Sequence, residues 1–271
     1  MSGTILITGA STGIGRTTAE LFLNNGWNVV ATMRSPENAG DLADHANVLV
    51  TRLDVTDETS IASAVDRAQS RFGSIDVLLN NAGYGAYGPL EATPMEKIRR
   101  QFDTNVIGLL AVTKAMLPIF RAQTSGTVIN VSSIGGQMTF PLGTLYHGTK
   151  FAVEGLSEAL HFELEAIGVK MKIIEPGMIR TDFGGRSFDF SNDETMSEYQ
   201  DTIQKLFAVF GDAANGGSDP SVVADVIWQA VTDGTNQLRY RAGADAEEFL
   251  DNRKNLDDAT FIAGLKAQLG L

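Results

Sequence analysis

The run Thr4–Gly26, TILITGASTGIGRTTAELFLNNG, decides the fold. A short apolar, β-rich run turns through Gly9, Gly13 and Gly15 into a helical pattern. Glycines at a strand-to-helix turn let the backbone approach a pyrophosphate, and the helix N-terminus offers unpaired amides and the positive end of its dipole. Gly9, Ser11, Thr12, Gly13, Ile14 and Gly15 are therefore candidate cofactor contacts. A glycine turn that only packs tightly is the competing reading. Three residues separate the first two glycines, where the standard dinucleotide fingerprint has one.

Outward from this run the chain keeps alternating. NVVATM, NVLVTRLDV and IDVLLNN read as strands, and SIASAVDRAQSRFG between the last two as a helix. A βαβαβ rhythm predicts a parallel sheet with helices on both faces, because each parallel connection needs a crossover. A long helix near 95–122, a strand at Thr127–Val131, a helix from the Tyr146 region to about Ile167 and a strand at Lys170–Glu175 bring the count to six. Asp219 and Pro220 form an N-cap and first-turn pair for the helix SVVADVIWQAVTDG, and QLRYRAG suggests a seventh strand. The acidic tail from Ala244 to Leu271 reads as helical, with no linker, so residues 1–271 are expected to form one α/β domain. Residues 182–218 carry Phe183, Phe188, Phe190, Met196, Tyr199, Phe207 and Phe210 and read as a substrate lid, with a satellite core cluster as the alternative.

Composition narrows the function. The 271 residues are 43% hydrophobic and 20% charged, which suits a globular enzyme rather than a disordered or fibrous chain. A formal charge of -12 argues against a nucleic-acid partner, since neutralising phosphates needs a basic surface. The absence of cysteine excludes disulfides, thiolate nucleophiles and cysteine-bound zinc. His45, His147 and His161 have no metal-ligand spacing with carboxylates, and His147 lies about 100° around a helix from Tyr146, so all three read as structural or solvated and no metal is expected. The N-terminus has no basic flank or cleavage site, and no apolar stretch approaches membrane length, so a cytoplasmic protein with no membrane partner is expected.

Tyr146 and Lys150 stand four apart in YHGTKFAVEGLSEALHFELEAIG, which has helical spacing, so phenol and ammonium share one face. Bringing a tyrosine from about 10 to about 7 takes roughly 4 kcal/mol, and a positive charge about 4 Å away at an effective dielectric near 20 supplies about that much. The pair is a candidate proton donor with its own tuner. Alone, chance would explain it as well.

TGASTGIG, NNAG at 80–83, NVSS at 130–133, YHGTK at 146–150 and PGMIRT at 176–181 occur together, in order, and the chain over about residues 3–240 resembles the classical short-chain dehydrogenase/reductases. The resemblance implies a seven-stranded, doubly wound Rossmann-type sheet in which one domain binds nicotinamide cofactor and substrate. It implies Tyr146 as general acid or base, Lys150 acting on both the phenol and the nicotinamide ribose, and Ser133 holding the substrate oxygen, with Ser132 the competing serine. Asn105, in RRQFDTNVIGLLAV, matches the member that holds a water linking Lys150 to solvent; on sequence alone it is a mid-helix asparagine with a structural reading. Asn80, Ala82 and Gly83 match the segment lining the adenosine, and Pro176, Gly177, Ile179 and Thr181 the segment passing the nicotinamide. Asp54, followed by Val55, matches the aspartate beside the adenine, with Thr56 read as the next helix's N-cap, leaving Asp54 free.

The second strand ends in Arg34 with no acid, and a guanidinium attracts a ribose 2′-phosphate where a carboxylate would repel it, so NADP(H) is expected over NAD(H). GYGAYG at 83–88 and GGQMTFPL at 135–142 are apolar and aromatic without an arginine clamp, which points to a bulky apolar or aromatic ketone or secondary alcohol. The expected activity is that of a carbonyl reductase or alcohol dehydrogenase. An NAD-linked hydroxysteroid-type dehydrogenase and a dinucleotide-sensing regulator are the alternatives. A homo-oligomer, dimer or tetramer, through the helix carrying Tyr146 is implied by the resemblance only.

Overall fold

A computed structural model describes residues 2–181 and 187–271, and the side chains of these other than 209–215. Phe183 and the Phe210 side chain, both assigned to the expected lid, lie outside the described residues. Nine strands occur in chain order among the described residues: β1 (Thr4–Thr8), β2 (Asn28–Met33), β3 (Val48–Arg52), β4 (Val77–Asn80), β5 (Gly85–Tyr87), β6 (Gly126–Val131), β7 (Val169–Pro176), β8 (Phe188–Phe190) and β9 (Arg239–Ala242). Seven of them form a parallel sheet in the order β3-β2-β1-β4-β6-β7-β9, while β5 and β8 pair in parallel as a separate two-stranded sheet. The large sheet is the expected one. The chain winds outward from β1 in one direction and from β4 in the other, so the crevice at their carboxyl ends is the place where α/β sheets of this kind bind ligands.

The strands read as continuous apolar runs because both faces are covered. Alternation sorts their side chains: Ile5, Ile7, Val29, Ala31 and Ile129 face one layer, and Leu6, Val30, Leu78 and Val128 face the other. The first layer is covered by α1 (Gly13–Asn24) through Phe22 and, further along the chain, by the helix Pro220–Thr232 through Val223 and Ile227. The second is covered by α2 (Glu58–Phe72), by α4 (Leu109–Gln123), which continues from α3 (Met95–Phe102), and by α5 (Thr144–Glu165). The remaining helices are α6 (Ser197–Gly216), α7 (the Pro220–Thr232 helix), α8 (Ala244–Asn255) and α9 (Asp258–Leu269). Ile134 and Met138 form a small core of their own with Ala246, Leu250 and Phe261 of the C-terminal helices, which fixes the loop after β6.

Three details depart from the sequence reading. Asp57, not Thr56, caps α2, accepting from the Ser60 N–H at 3.1 Å. Asp54 is consequently not free: its Oδ1 accepts from the Thr56 N–H at 3.0 Å and the Thr56 hydroxyl at 2.7 Å. The helix Met95–Gln123 contains a window long and apolar enough to cross a membrane by composition, where none was expected. Half of that window is buried, with Val112, Met116 and Phe120 against the sheet, as in a core helix.

Candidate active site

The glycine turn sits where the winding reverses. Gly9 and Gly13 have φ of 71° and 55°, a region that side chains with Cβ rarely adopt. A Cβ on Gly15 would run into the Gly9 carbonyl oxygen, so α1 starts directly against the turn. Asn81 Nδ2 donates to the carbonyl oxygens of Thr8 at 2.9 Å and Gly9 at 3.1 Å, closing the turn from β4. This asparagine was not singled out from sequence. Its neighbour Asn80, which was, points into the sheet and donates to Thr113 Oγ1 and Asn130 Oδ1, both at 2.9 Å. Ala82 packs 3.1 Å from where a Gly9 Cβ would stand, and Val55 is buried against Gly108. The cradle, open at Ser11 to Gly13 and free of side-chain bulk at its glycines, fits a dinucleotide's phosphates.

Thr181 lies beside the turn, its Cγ2 3.3 Å from where a Gly13 Cβ would stand. The segment leading to it is seated by backbone bonds, with the Gly177 N–H donating to Ala242 O at 3.0 Å and Ile179 bridged to Ser218. Asp245, another residue without a sequence signal, accepts from the Met178 N–H at 2.6 Å, and a Cβ on Gly177 would collide with its carboxylate. The segment holding Pro176, Gly177, Ile179 and Thr181 is thus tied to β9, Ser218 and Asp245 on its way to the glycine turn. Arg34 follows β2, is exposed, and makes no hydrogen bond or ion pair among the described residues. It stands two residues past Thr32, whose carbonyl accepts the Ala10 N–H of the glycine turn at 2.9 Å.

The proton-handling residues meet at the carboxyl end of β6. Ser133 is the N-cap of a tight turn, Ile134–Gly136, and its Oγ accepts from the Gly135 N–H at 2.9 Å. A hydrogen bond joins the Ser133 hydroxyl to the Tyr146 phenol. Ser132, the competitor, has a buried Oγ with no hydrogen-bond partner among the described residues, lying 2.7 Å from where a Gly136 Cβ would stand. Lys150, one turn along α5 from Tyr146, donates from Nζ to the Val131 carbonyl at 2.9 Å and stands 5.8 Å from the centroid of the tyrosine ring. Asn105 sits in a π-helical turn, Asp103–Gly108, between α3 and α4. There it accepts from the Tyr84 N–H at 3.1 Å and donates to the Tyr84 carbonyl at 2.9 Å and to Thr149 Oγ1 at 3.2 Å. Its side chain ties the loop after β4 to the helix of Tyr146; π turns of this kind recur at functional sites.

The electrostatics reverse one expectation. Burial pushes the Tyr146 phenol above its ordinary range, opposed by the hydrogen bond to Ser133. Burial pulls Lys150 down to about 8, opposed by the Glu154 carboxylate. In the protein alone the direction of the phenol's shift is set by removal of water, with the Ser133 hydrogen bond acting against it.

An aromatic wall runs outward from Tyr146. Its ring stacks on Tyr87 with centroids 5.6 Å apart, Tyr87 meets Phe188 at 5.3 Å, Phe188 meets Phe190 at 6.0 Å, and Phe207 of α6 closes on Phe190 at 4.8 Å. The pairing of β5 with β8 puts Gly85, Ala86 and Tyr87 opposite Phe188, Asp189 and Phe190. Asp189 is gripped by two cations of α3, Lys97 at 2.6 Å and Arg100. Residues 188–190 of the expected lid are therefore held on β5 and α3.

The model of the short chain dehydrogenase family matches residues 3–192. An uncharacterized oxidoreductase of Schizosaccharomyces pombe is 50% identical over 239 residues, covering 88% of this chain and all of the relative. A 3-ketodihydrosphingosine reductase of Bacteroides thetaiotaomicron is 35% identical, covering 88% of this chain and 87% of the relative. An NADPH-dependent 3-dehydrocapnine reductase of Ornithobacterium rhinotracheale is 32% identical, covering 87% and 86%. The crystal structure of a short-chain dehydrogenase from Streptomyces avermitilis superposes with a TM-score of 0.84 at 34% identity, covering 100% of this chain and 99% of that one. The chain belongs to the short-chain dehydrogenase/reductases and is an oxidoreductase of that family.

Proposed function

We propose that the protein is an NADP(H)-dependent carbonyl reductase, working in reverse as an alcohol dehydrogenase, on a bulky apolar or aromatic ketone or secondary alcohol. The observation that carries this reading is the Tyr146 phenol: hydrogen-bonded to Ser133, one turn from Lys150, and forming the inner end of an aromatic wall. A bound nicotinamide dinucleotide supplies the hydride. Ser133 holds the carbonyl oxygen, and Tyr146 passes its proton to that oxygen as negative charge develops there, so the carbonyl becomes a hydroxyl. The phenol keeps its proton at neutral pH, which is the form that this direction needs. The Lys150 ammonium, held by the Val131 carbonyl, then stabilises the tyrosinate left behind.

Arg34 supports the phosphorylated cofactor, as an uncommitted guanidinium beside the end of β2 can take a 2′-phosphate. One relative is named as a 3-keto reductase and another as an NADPH-dependent reductase, and both names support this reading. The test is NADPH oxidation over a panel of ketones from small aliphatic to bicyclic aromatic and steroidal, with Tyr146→Phe alongside. Turnover of large apolar ketones, lost in the variant, is expected; a variant equal to the wild type would end the proposal. Self-association through α5 is proposed on the exposed Phe162, 70% accessible, and Phe151 on that helix, and sedimentation of Phe162→Glu tests it.

A further inference from the structure

We infer that His147 is a positioning residue that holds Ser133 in place through the peptide of Gly135, and the loop at 135–142, which the sequence reading sets beside the substrate, through the Phe140 N–H. This rests on the proposed roles of Tyr146 and Ser133. The ring is 3% exposed and makes two hydrogen bonds, one from each nitrogen. The Phe140 N–H donates to Nε2 at 2.9 Å, so Nε2 carries no proton. The proton is then on Nδ1, which donates to the Gly135 carbonyl at 3.0 Å. The same residue's N–H donates to Ser133 Oγ at 2.9 Å, and the Ser133 hydroxyl meets the Tyr146 phenol. Gly135 is clamped at both ends, by His147 on one side and Ser133 on the other.

The slot is shaped for an imidazole. A Cβ on Gly135 would stand 2.7 Å from Nδ1, and one on Gly143 would stand 2.5 Å from Cδ2. Tyr87 meets the ring edge-on at 6.0 Å, Phe140 lies at 6.0 Å and Tyr146 at 5.6 Å. Burial lowers the basicity of the imidazole, which favours the neutral form with one donor and one acceptor that this geometry uses. With one lone pair of Ser133 taken by Gly135, its own proton is directed away from the turn. Misplacing a group that positions a reacting atom by about 1 Å costs on the order of 100-fold in rate.

The two bonds separate experimentally in the full chain, assayed with NADPH and a ketone that it reduces. His147→Asn places an amide N–H near the Nδ1 position and keeps the bond to Gly135; His147→Gln reaches the Nε2 position and keeps only the acceptor for Phe140. The expected result is that His147→Asn retains kcat within about threefold and raises KM, while His147→Gln and His147→Leu lower kcat about 10- to 100-fold. Gly135→Ala, which crowds Nδ1 from the other side, gives the same loss of kcat and serves if a histidine variant does not fold. Equal losses in the Asn and Gln variants, or folded variants that all match wild-type kcat, would overturn the proposal. Tyr146→Phe separates the two readings: if it is inactive while every His147 variant is active, only the role of His147 fails, and if it is active, the proposed chemistry fails.

Discussion

The ring of Tyr87 lies against that of Tyr146, with centroids 5.6 Å apart and planes 30° apart. A proton donor stacked on a second buried phenol has one face of its ring already covered. Aromatic pairs of this kind contribute about 0.5–1.5 kcal/mol beyond burial. Tyr87→Ala is expected to raise KM for bulky ketones up to about tenfold and leave small ketones nearly unaffected. Steady-state kinetics on a large and a small ketone decide it; equal losses on both would place Tyr87 outside substrate selection.

Lys150 titrates at about 8, below the ordinary lysine range because it is buried. If the ammonium supports the tyrosinate, single-turnover reduction slows as pH rises through about 8. The sign for stability is opposite. The folded form binds fewer protons than the unfolded form between about 8 and the ordinary lysine value near 10.4, so this group's contribution to stability increases with pH across that window. Urea unfolding of the wild type and Lys150→Met at pH 7 and 9.5 should show the wild type gaining on the variant.

Arg34 stands exposed next to the strand end that abuts the glycine turn. A charge-assisted contact to a phosphate contributes about 1.5–3 kcal/mol, so Arg34→Asp should shift the NADPH-to-NADH ratio of kcat/KM by about 10- to 100-fold toward NADH. Unchanged preference in that variant would show that the phosphate, if read at all, is read elsewhere.

Glu175 is 1% exposed, and its carboxyl is pushed up to about 7 by burial first and by Glu154 second, with Gln137, Arg239 and Arg241 opposing. The folded form binds more protons than the unfolded form between about 4.5 and 7, so stability from this group is present at low pH and lost as pH rises through 7. Glu175→Gln is expected to exceed the wild type by on the order of 1–3 kcal/mol at pH 8 and to match it near pH 4.5. Denaturant melts at the two pH values measure this directly.

Much of the fold was readable because period sets direction. Tyr146 and Lys150 share a face once the helix is accepted, and the glycine turn at Gly9, Gly13 and Gly15 lies at the switch point once β1 is followed by a crossover. Adjacent residues were harder. Asn80 and Asn81 point opposite ways from the end of β4, and only the neighbouring strands reveal which one reaches the turn. Thr56 and Asp57 are both competent caps, and the contest is decided by Asp54 capturing Thr56. The upward shift of Tyr146 is a sum over everything packed around it, and no spacing rule contains that sum. His147 reads as structural from sequence because it lies about 100° around the helix from Tyr146, yet that offset is what brings it to Gly135.

The short strands β5 and β8 are each three residues long and are brought together from opposite sides of α5 in the chain. Their register links Tyr87 to Phe190, so inserting one residue into either strand would turn alternate side chains to the other face. The two segments form one heritable unit. A lineage that changes its substrate by altering the length of GYGAYG must alter FDF at 188–190 with it, and a recombinant with a breakpoint between them inherits a mismatched pair. Covariation between residues 85–87 and 188–190 is the trace that such a history would leave.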